Sequence, residues 1–430
     1  MEIPSQFEFQ FNRLRERLWV KPLIACVLSV AGVGLAHVVD AIPVDWKVPE
    51  IAQGSVIELL KVIAASMLGV ATFAVASMVA AYASAGQSAT ARAFPLIVAD
   101  DVSQNALSIF VGAFIFAIVA LSATTNDYFG RAGRFTLFVL TLLTLVAVIL
   151  VFVRWVDRIA RLGRLGAVIA KVEEATARAM AQRKRQPCLG GMMASGPTSG
   201  LAFHSDRNGY LQRVDMAALQ RLAAKHKVRI TLAVLPGAMV MPSRPLGYLL
   251  PDSHDSGTIE PALLRKAFIV GPLRQFDDDP RFGLVVLAEI ACRALSPGIN
   301  DPGTAIAVLA SLHRLFDDWA LPAPSAAPAA PAAPPCERIE APCLQTIDMF
   351  EDAFPPIARD GAGLVEVAMR LQRVLGELGG SGDAWTACAA RQQAVLAMAR
   401  AERALAFPPD VAQVRRRHAG YWEPGAQPPS

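Results

Sequence analysis

Residues 62–83 read VIAASMLGVATFAVASMVAAYA and contain no Asp, Glu, Lys, Arg or His. An α-helix rises 1.5 Å per residue, so about 20 apolar residues cross the roughly 30 Å hydrocarbon layer of a bilayer. Core helices of soluble proteins rarely stay free of charge over such a length. The stretch therefore predicts a membrane-spanning helix.

Three further stretches have the same character. The whole chain has 430 residues, of which 53% are hydrophobic, and its mean hydropathy of +0.38 is too high for an ordinary soluble protein. Residues 106–125 and 135–153 also lack the five ionisable residue types. We predict four transmembrane helices, at about 18–39, 58–83, 105–124 and 135–153.

The positions of Lys and Arg predict the orientation of these helices. Four basic residues precede the first span between Arg13 and Lys21, and nine follow the fourth between Arg154 and Arg185. The presumed outer loops carry only Lys47, Arg131 and Arg134. Because positively charged loops are retained in the cytoplasm, we expect the N-terminus and everything after residue 153 on the cytoplasmic side.

Beyond the spans, residues 155–172 carry apolar residues at helical spacing, which predicts that the fourth span continues as an amphipathic helix to about Arg185. Its apolar stripe either packs on its own domain or forms a parallel seam between subunits. The glycines at 163 and 166 count against a strong coiled coil. Residues 187–203 are loop-like in composition.

A small α+β module is predicted next. GYLQRVD and VRITLAVL are strand candidates, with a helix between them that Asp215 can cap. PGAMVMPSRPLGYLLP is typical of a hairpin-like pair of strands. Asp279-Pro280 and Asp301-Pro302 each place a capping residue before a proline suited to a first helical turn, which predicts helices at about 281–295 and 302–319.

The predicted fold class is thus a multi-pass α-helical membrane protein with four transmembrane helices, a cytosolic α+β module and a C-terminal helical region. A Pro/Ala-rich segment, LPAPSAAPAAPAAPP, is typical of an extended linker. The predicted divisions are 1–153 for the transmembrane region, 154–186 for the connecting helix, 200–275 for the module, 276–320 for a helix pair, 321–335 for the linker and 336–420 for the helical C-terminal region.

The six cysteines form no C-x-x-C pair and have no histidines at zinc spacing. We therefore predict reduced thiols, no bound metal and no cofactor. The net charge of +4 is small for this length, so no nucleic-acid partner is expected. The histidines lie in no hydrolase motif, so no catalytic group is assigned and an enzyme is the least supported class.

Several segments resemble a bacterial family of predicted membrane proteins known as domain of unknown function 2254. They are GYLQRVDMAALQRLA, PGAMVMPSRPLGYLLP and DDDPRFGLVVLAEIACRALSPGINDPGTA, together with the four-span pattern. Ser243-Arg244 stands near where the family hairpin is expected to have a glycine. The resemblance implies a bacterial inner-membrane location but no reaction.

Two candidate sites follow from the residues. The second span is rich in Ala, Gly and Ser, which favours close helix packing, but Ser66, Thr72, Ser77 and Ser84 could instead line a narrow polar path. In the loop SPGINDPGT at 296–304, a structural turn between two helices is the simpler interpretation. Alternatively, Arg293, Asn300, Asp301 and Thr304 converge on an anion at a helix N-terminus, which the carboxylate of Asp301 opposes.

Two functional hypotheses remain open. The first is a homo-oligomeric channel-like protein, with the second span lining the path and the cytosolic domain gating it. The second is a non-enzymatic sensor or scaffold, anchored in the lipid bilayer, whose cytosolic module binds a partner or small ligand.

Overall fold

The computed structural model describes residues 19–42, 49–88, 90–98, 101–162, 164–194, 200–252, 257, 259–322 and 336–423. The chain divides into two compact units, Met1–Val168 and Ile169–Ser430.

The first unit is helical. Its described helices are α1 (Val20–Ala41), α2 (Gln53–Ser88), α3 (Phe94–Val98), α4 (Asp101–Thr125) and α5 (Arg131–Leu162), followed by the start of α6 (Leu165–Arg185). Four of them contain segments long and apolar enough to cross a membrane: Val20–Ala41, Gln53–Ser84, Val102–Thr125 and Arg131–Ile159. The prediction of four such helices is confirmed.

Helix α4 lies at the centre of this unit and packs against α1, α2 and α5. Its buried side chains recur every three or four residues, as one helical face requires. At the crossing with α1, Ser29 Oγ donates a hydrogen bond to the Gly112 carbonyl at 2.8 Å. A Cβ at position 112 would lie 3.1 Å from that of Ala25, so the glycine permits the close approach.

The helix pair α1 and α5 is joined at one end by Asp40. Its carboxylate accepts hydrogen bonds from the backbone N–H groups of Gly130 at 2.6 Å and Gly133 at 3.0 Å. These N–H groups lie at the start of α5, where a helix has no internal acceptor for them. Asp40 therefore caps α5 from a neighbouring helix.

The sequence predicted one continuous helix from the fourth span to about Arg185, but the structure shows two helices. Helix α5 ends at Leu162 and α6 begins at Leu165, and Arg164 between them is not helical. Glycine is a poor helix former, which is consistent with a break in this glycine-containing stretch. Of the predicted apolar stripe, Trp155 packs on Phe110 in the first unit and Val172 is buried in the second.

The second unit is mixed. Its strands are β1 (Gly191–Met193), β2 (Leu201–His204), β3 (Gly209–Val214), β4 (Val228–Leu232), β5 (Met239–Val240), β6 (Pro245–Pro251), β7 (Phe268–Gly271) and β8 (Cys336–Ala341). Its remaining described helices are a 3-10 turn (Pro187–Gly190), α7 (Met216–His226), α8 (Pro261–Arg265), α9 (Pro280–Ala294), α10 (Pro302–Ala320), α11 (Thr346–Ala353), α12 (Pro355–Asp360), α13 (Val365–Gly379), α14 (Ala384–Ala404) and α15 (Pro408–Trp422).

The strands form two sheets. One has the order β1-β8-β4-β6-β2, with β8 parallel to both β1 and β4, and the other has the order β5-β3-β7. Strand β4 alternates between buried Val228, Ile230 and Leu232 and more exposed residues, which is the pattern of a sheet with one covered face. Helix α7 packs against β4 and β8 and buries Leu219.

Three predictions of secondary structure are wrong in this unit. The predicted hairpin does not form, because β5 pairs with β3 and β6 pairs with β2 and β4. Residues 187–203, predicted as loop, contain β1 and the start of β2. Residues 336–341, assigned to the helical C-terminal region, form β8 inside the five-stranded sheet. The Pro/Ala-rich segment lies outside the described residues from 323 onward.

The predicted helix starts are confirmed. Asp215 accepts from the Ala218 N–H at 2.9 Å, Asp279 from Phe282 at 3.2 Å and Asp301 from Thr304 at 3.0 Å. Each carboxylate satisfies an N–H group that has no acceptor within its own helix.

Candidate functional site

The SPGINDPGT loop is a tight turn between α9 and α10. The backbone N–H of Asn300 donates to the Ser296 carbonyl at 2.8 Å, and that of Asp301 donates to Ala294 at 2.8 Å. The Thr304 Oγ donates to Asp301 at 2.6 Å, in addition to the capping bond from its N–H. The two hydrogen bonds from Thr304 lower the pKa of the Asp301 carboxyl.

This geometry bears directly on the proposed anion site. Asp301 already accepts from donors that an anion at the start of α10 would need. Its side chain also keeps a negative charge at that place over the physiological pH range. Arg293 lies at the end of α9, and its backbone carbonyl accepts from Ser296 Oγ at 2.7 Å. Convergence of the four residues on an anion stays a prediction.

Asn300 is the residue that the turn constrains most. Its φ is 50°, in the left-handed region, whereas neither Gly298 nor Gly303 has a positive φ. The left-handed position of the turn is therefore occupied by Asn300 and by neither of these glycines. Asparagine tolerates the left-handed region better than most residues other than glycine.

The candidate path-lining residues lie on α2. Ser66 and Thr72 are exposed in the single chain, and their hydroxyls donate to the backbone carbonyls of Val62 at 2.6 Å and Leu68 at 2.9 Å. Ser84 is also exposed and Ser77 is half-buried. Because the Ser66 and Thr72 hydroxyls are satisfied within their own helix, that face can meet lipid or another helix at low cost.

A cleft of about 690 Å³ in the second unit brings together residues that the sequence had not connected. Its walls include residues 233–238 after β4, residues 342–345 between β8 and α11, and residues 279–281 at the start of α9. This volume falls within the range of small-molecule pockets. The apolar part of the wall includes Val234, Leu235 and Leu344.

Three arginines line the cleft with two aspartates: Arg183, Arg274, Arg281, Asp279 and Asp348. Arg274 binds Asp279 through two hydrogen bonds of 2.7 and 3.0 Å. Arg281 donates to Asp348 at 3.0 Å and to Asp352, behind the lining, at 2.5 and 3.1 Å. The guanidinium groups are thus held in fixed positions by carboxylates.

Arg183 is the most buried of the three, with 6% of its surface exposed. It donates to the Asp278 carbonyl at 2.9 Å. Burial lowers the pKa of its guanidinium, while the charges of Asp278 and Asp279 act in the opposite direction. Burial also disfavours the charged form of Asp279 and so raises the pKa of its carboxyl, whereas the hydrogen bonds from Arg274 act to lower that pKa. An arginine remains charged under these conditions, so the cleft contains a desolvated positive charge.

The N-terminus of α11 borders the same cleft. Gln345, at its N-cap position, makes no side-chain capping bond, and Gln345 and Asp348 both line the cleft. The first turn of a helix presents N–H donors and the positive end of the helix dipole. The arginines, the carboxylates that bind them and this helix end therefore give the cleft a polar, charged character.

Comparison with known proteins identifies the family. The model of a family described as predicted membrane protein (DUF2254) matches residues 15–377, which include the four apolar helices, the SPGINDPGT loop and the cleft. The chain belongs to this family. It is a predicted membrane protein of unknown function.

The similar curated proteins are also uncharacterized. This DUF2254 chain is 32% identical over 134 residues to Mb1321c of Mycobacterium bovis and to Rv1290c of Mycobacterium tuberculosis (strain H37Rv). The matched region covers 30% of this chain and 26% of each mycobacterial protein. No solved structure matches it.

The cysteines of the DUF2254 chain correct one prediction. Cys188 and Cys343 form a disulfide, with their Cα atoms 4.3 Å apart, although both had been predicted as reduced thiols. They are 155 residues apart in sequence, so no local spacing indicates the pair. Cys343 also lines the cleft, and Cys188 follows α6, which carries Arg183.

Sequence reasoning missed the cleft for a similar reason. The sequence had identified Asp279 only as the start of a helix. In the structure Asp278 lies 3.6 Å from Arg213, and Asp279 pairs with Arg274. Arg213 is distant from Asp278 in the sequence, so nothing local indicates that pair. Arg274 lies five residues before Asp279, and this spacing could have suggested their pairing.

Proposed function

We propose that this protein is a membrane-anchored sensor whose second unit binds a small ligand with a carboxylate or phosphate group in the cleft. The observation that carries the proposal is the buried Arg183 in a cleft of about 690 Å³, beside the uncapped start of α11. A negatively charged group is the ligand chemistry that such donors favour. The apolar wall suits the rest of a small organic molecule.

The proposal includes location and assembly. The Lys and Arg distribution supports a bacterial inner-membrane protein with its N-terminus and second unit in the cytoplasm. The lipid bilayer then surrounds the four apolar helices. Homo-oligomers fit the exposed small-residue face of α2, where Gly69 has open space beside it.

The test compares two arginines of the same helix. Purified full-length protein in detergent is heated in rising concentrations of inorganic phosphate or acetate, at ionic strength balanced with chloride. We expect phosphate or acetate to raise the melting temperature of the wild type and of Arg178→Met, because Arg178 is largely exposed. Arg183→Met, which keeps most of the side-chain volume, should lose the response.

Equal responses of all three proteins would contradict the proposal, since the anion would then act elsewhere. A wild type that responds to neither anion would contradict it too. A folding check by circular dichroism separates loss of binding from loss of structure in Arg183→Met.

A second candidate is the channel-like function. It is favoured by the exposed position of Ser66, Thr72 and Ser84 on a long helix that carries no charge from residue 62 to residue 83. In an oligomer these residues line a polar path. Liposome flux measurements with the purified protein test it, and no conductance at any voltage, tension or ion tried would count against it.

A further inference from the structure

We propose that the Cys188–Cys343 disulfide is a reversible redox latch on the cleft. The inference rests on the proposed function, because the latch is proposed to control access of the ligand to the cleft. The existence of the latch itself is a separate property that can be measured without any ligand.

The latch joins two walls of the cleft. Cys343 is part of one wall, between Pro342 and Leu344, just before α11. Cys188 lies in the turn that follows α6, the helix whose Arg183 forms part of the other wall. These two segments are also joined by the pairing of β1 with β8, which has three registered pairs and an irregularity after Gly191, by a hydrogen bond of 3.1 Å from the Ala194 N–H to the Ala341 carbonyl, and by packing of the turn against β8. The covalent bond therefore reinforces a short ladder at the edge of the sheet.

The turn at Cys188 is held in an unfavourable backbone conformation. Cys188 has a φ of 49° and Leu189 a φ of 59°, so two consecutive non-glycine residues lie in the left-handed region. Such residues persist only where surrounding contacts hold them there. When the disulfide opens, one of these contacts is lost, and residues 187–194 can relax away from residues 336–345.

The predicted location makes such a bond reversible. Disulfides are rare in the cytosol of most organisms, and those that form there are usually transient or redox-sensing. In the forward step a thiolate of a small thiol such as glutathione attacks one sulfur of the bridge and displaces the other cysteine as a thiolate. A second thiol resolves the mixed disulfide, so two thiols are oxidised to one disulfide while Cys188 and Cys343 are reduced. Oxidised glutathione drives the reverse reaction.

The two states are compared by hydrogen exchange of the full-length protein in lipid nanodiscs. One sample is equilibrated with oxidised glutathione and one with reduced glutathione, and thiol alkylation followed by mass spectrometry reports whether the bridge is closed. We expect amides in 187–194 and 336–345 to exchange about tenfold faster in the reduced state. Amides of the first unit should not change.

Two variants serve as controls. A Cys188→Ser/Cys343→Ser double variant should show the fast pattern under both conditions. Cys388→Ser removes an exposed thiol elsewhere and should respond like the wild type. A bridge that does not form with oxidised glutathione, that reduced glutathione does not open, or that opens without faster exchange would each overturn the latch.

The result also separates the two proposals. Redox-dependent exchange without any response to phosphate or acetate would keep the latch and reject the ligand proposal. An anion response that is the same in both redox states would keep the ligand proposal and reject control by the latch.

Discussion

The contact between α6 and α9 allows one substitution to be predicted in detail, Gly283→Ala. A Cβ at position 283 would lie 2.8 Å from Thr176 Cβ and 3.0 Å from its Cγ2, and it would overlap Oγ1. Carbon atoms in contact normally lie about 3.5–4.0 Å apart. Thr176 is buried, and its hydroxyl donates to the Val172 carbonyl at 2.6 Å, so it cannot move aside freely.

The magnitude follows from two opposing effects. Overpacking a buried contact destabilises by about 1–3 kcal/mol, and the overlap with three atoms of one side chain favours the upper end. Replacing a helical glycine by alanine stabilises by about 1 kcal/mol. The net effect is a loss of about 2 kcal/mol, which lowers the melting temperature by roughly 4–8 °C for a unit of this size.

The assay is thermal unfolding of the full-length protein in detergent, followed by hydrogen exchange of α6 and α9. Gly298→Ala is the matched control, because a Cβ at position 298 meets open space. Thr176→Ala removes Oγ1 and Cγ2, so the double variant Gly283→Ala/Thr176→Ala should lose less stability than the two single variants added together. A Gly283→Ala protein as stable as Gly298→Ala would refute the contact.

Two further predictions concern the SPGINDPGT loop. Asn300→Gly should leave the melting temperature of the full-length protein within about 1 °C of the wild type, whereas Asn300→Ala should destabilise by about 1 kcal/mol, more than Ser296→Ala; similar losses for glycine and alanine would contradict the left-handed conformation. Asp301 has a lowered pKa, so its contribution to stability is present above pH 3.8 and is lost as the pH falls through its folded-state pKa. Asp301→Asn keeps a capping side chain but has no carboxylate to protonate, so its melting temperature should fall less between pH 5 and pH 3 than that of the wild type. An equal fall in both proteins would contradict this.

Local signals in the sequence predicted much of the helical structure. An uncharged stretch such as residues 62–83 has few stable alternatives to a membrane helix, because every backbone N–H and C=O in lipid needs an internal partner. Asp279 and Asp301 each precede a proline, and each caps the helix that the sequence placed there.

The sheets and the cleft depended on contacts between distant residues. Strand β8 pairs with β1 and β4, which lie more than a hundred residues earlier in the chain, and no sequence pattern in these strands identifies the pairing partner. The two strands of the predicted hairpin carry good local signals, but their partners are other strands. Periodicity within one segment indicates the type of element and not its neighbour in space.

The SPGINDPGT loop shows an intermediate case. The sequence marked it as a turn with a capping aspartate, and both features are present. It did not show that Asn300, rather than a glycine, takes the left-handed conformation. Backbone geometry at one residue depends on the hydrogen bonds of the whole turn, here those from Asn300 and Asp301 to the end of α9.

The position of β8 in its sheet has a consequence for biosynthesis. Because β8 lies between β1 and β4, the ribosome must complete residue 341 before the sheet can close. Until then β1 has no strand beside it and one edge of β4 exposes its hydrogen-bonding groups, although α7 and β6 have already emerged. During that interval the exposed edge of the nascent sheet can pair with non-native strands, so this is the stage of synthesis at which protection by chaperones matters most.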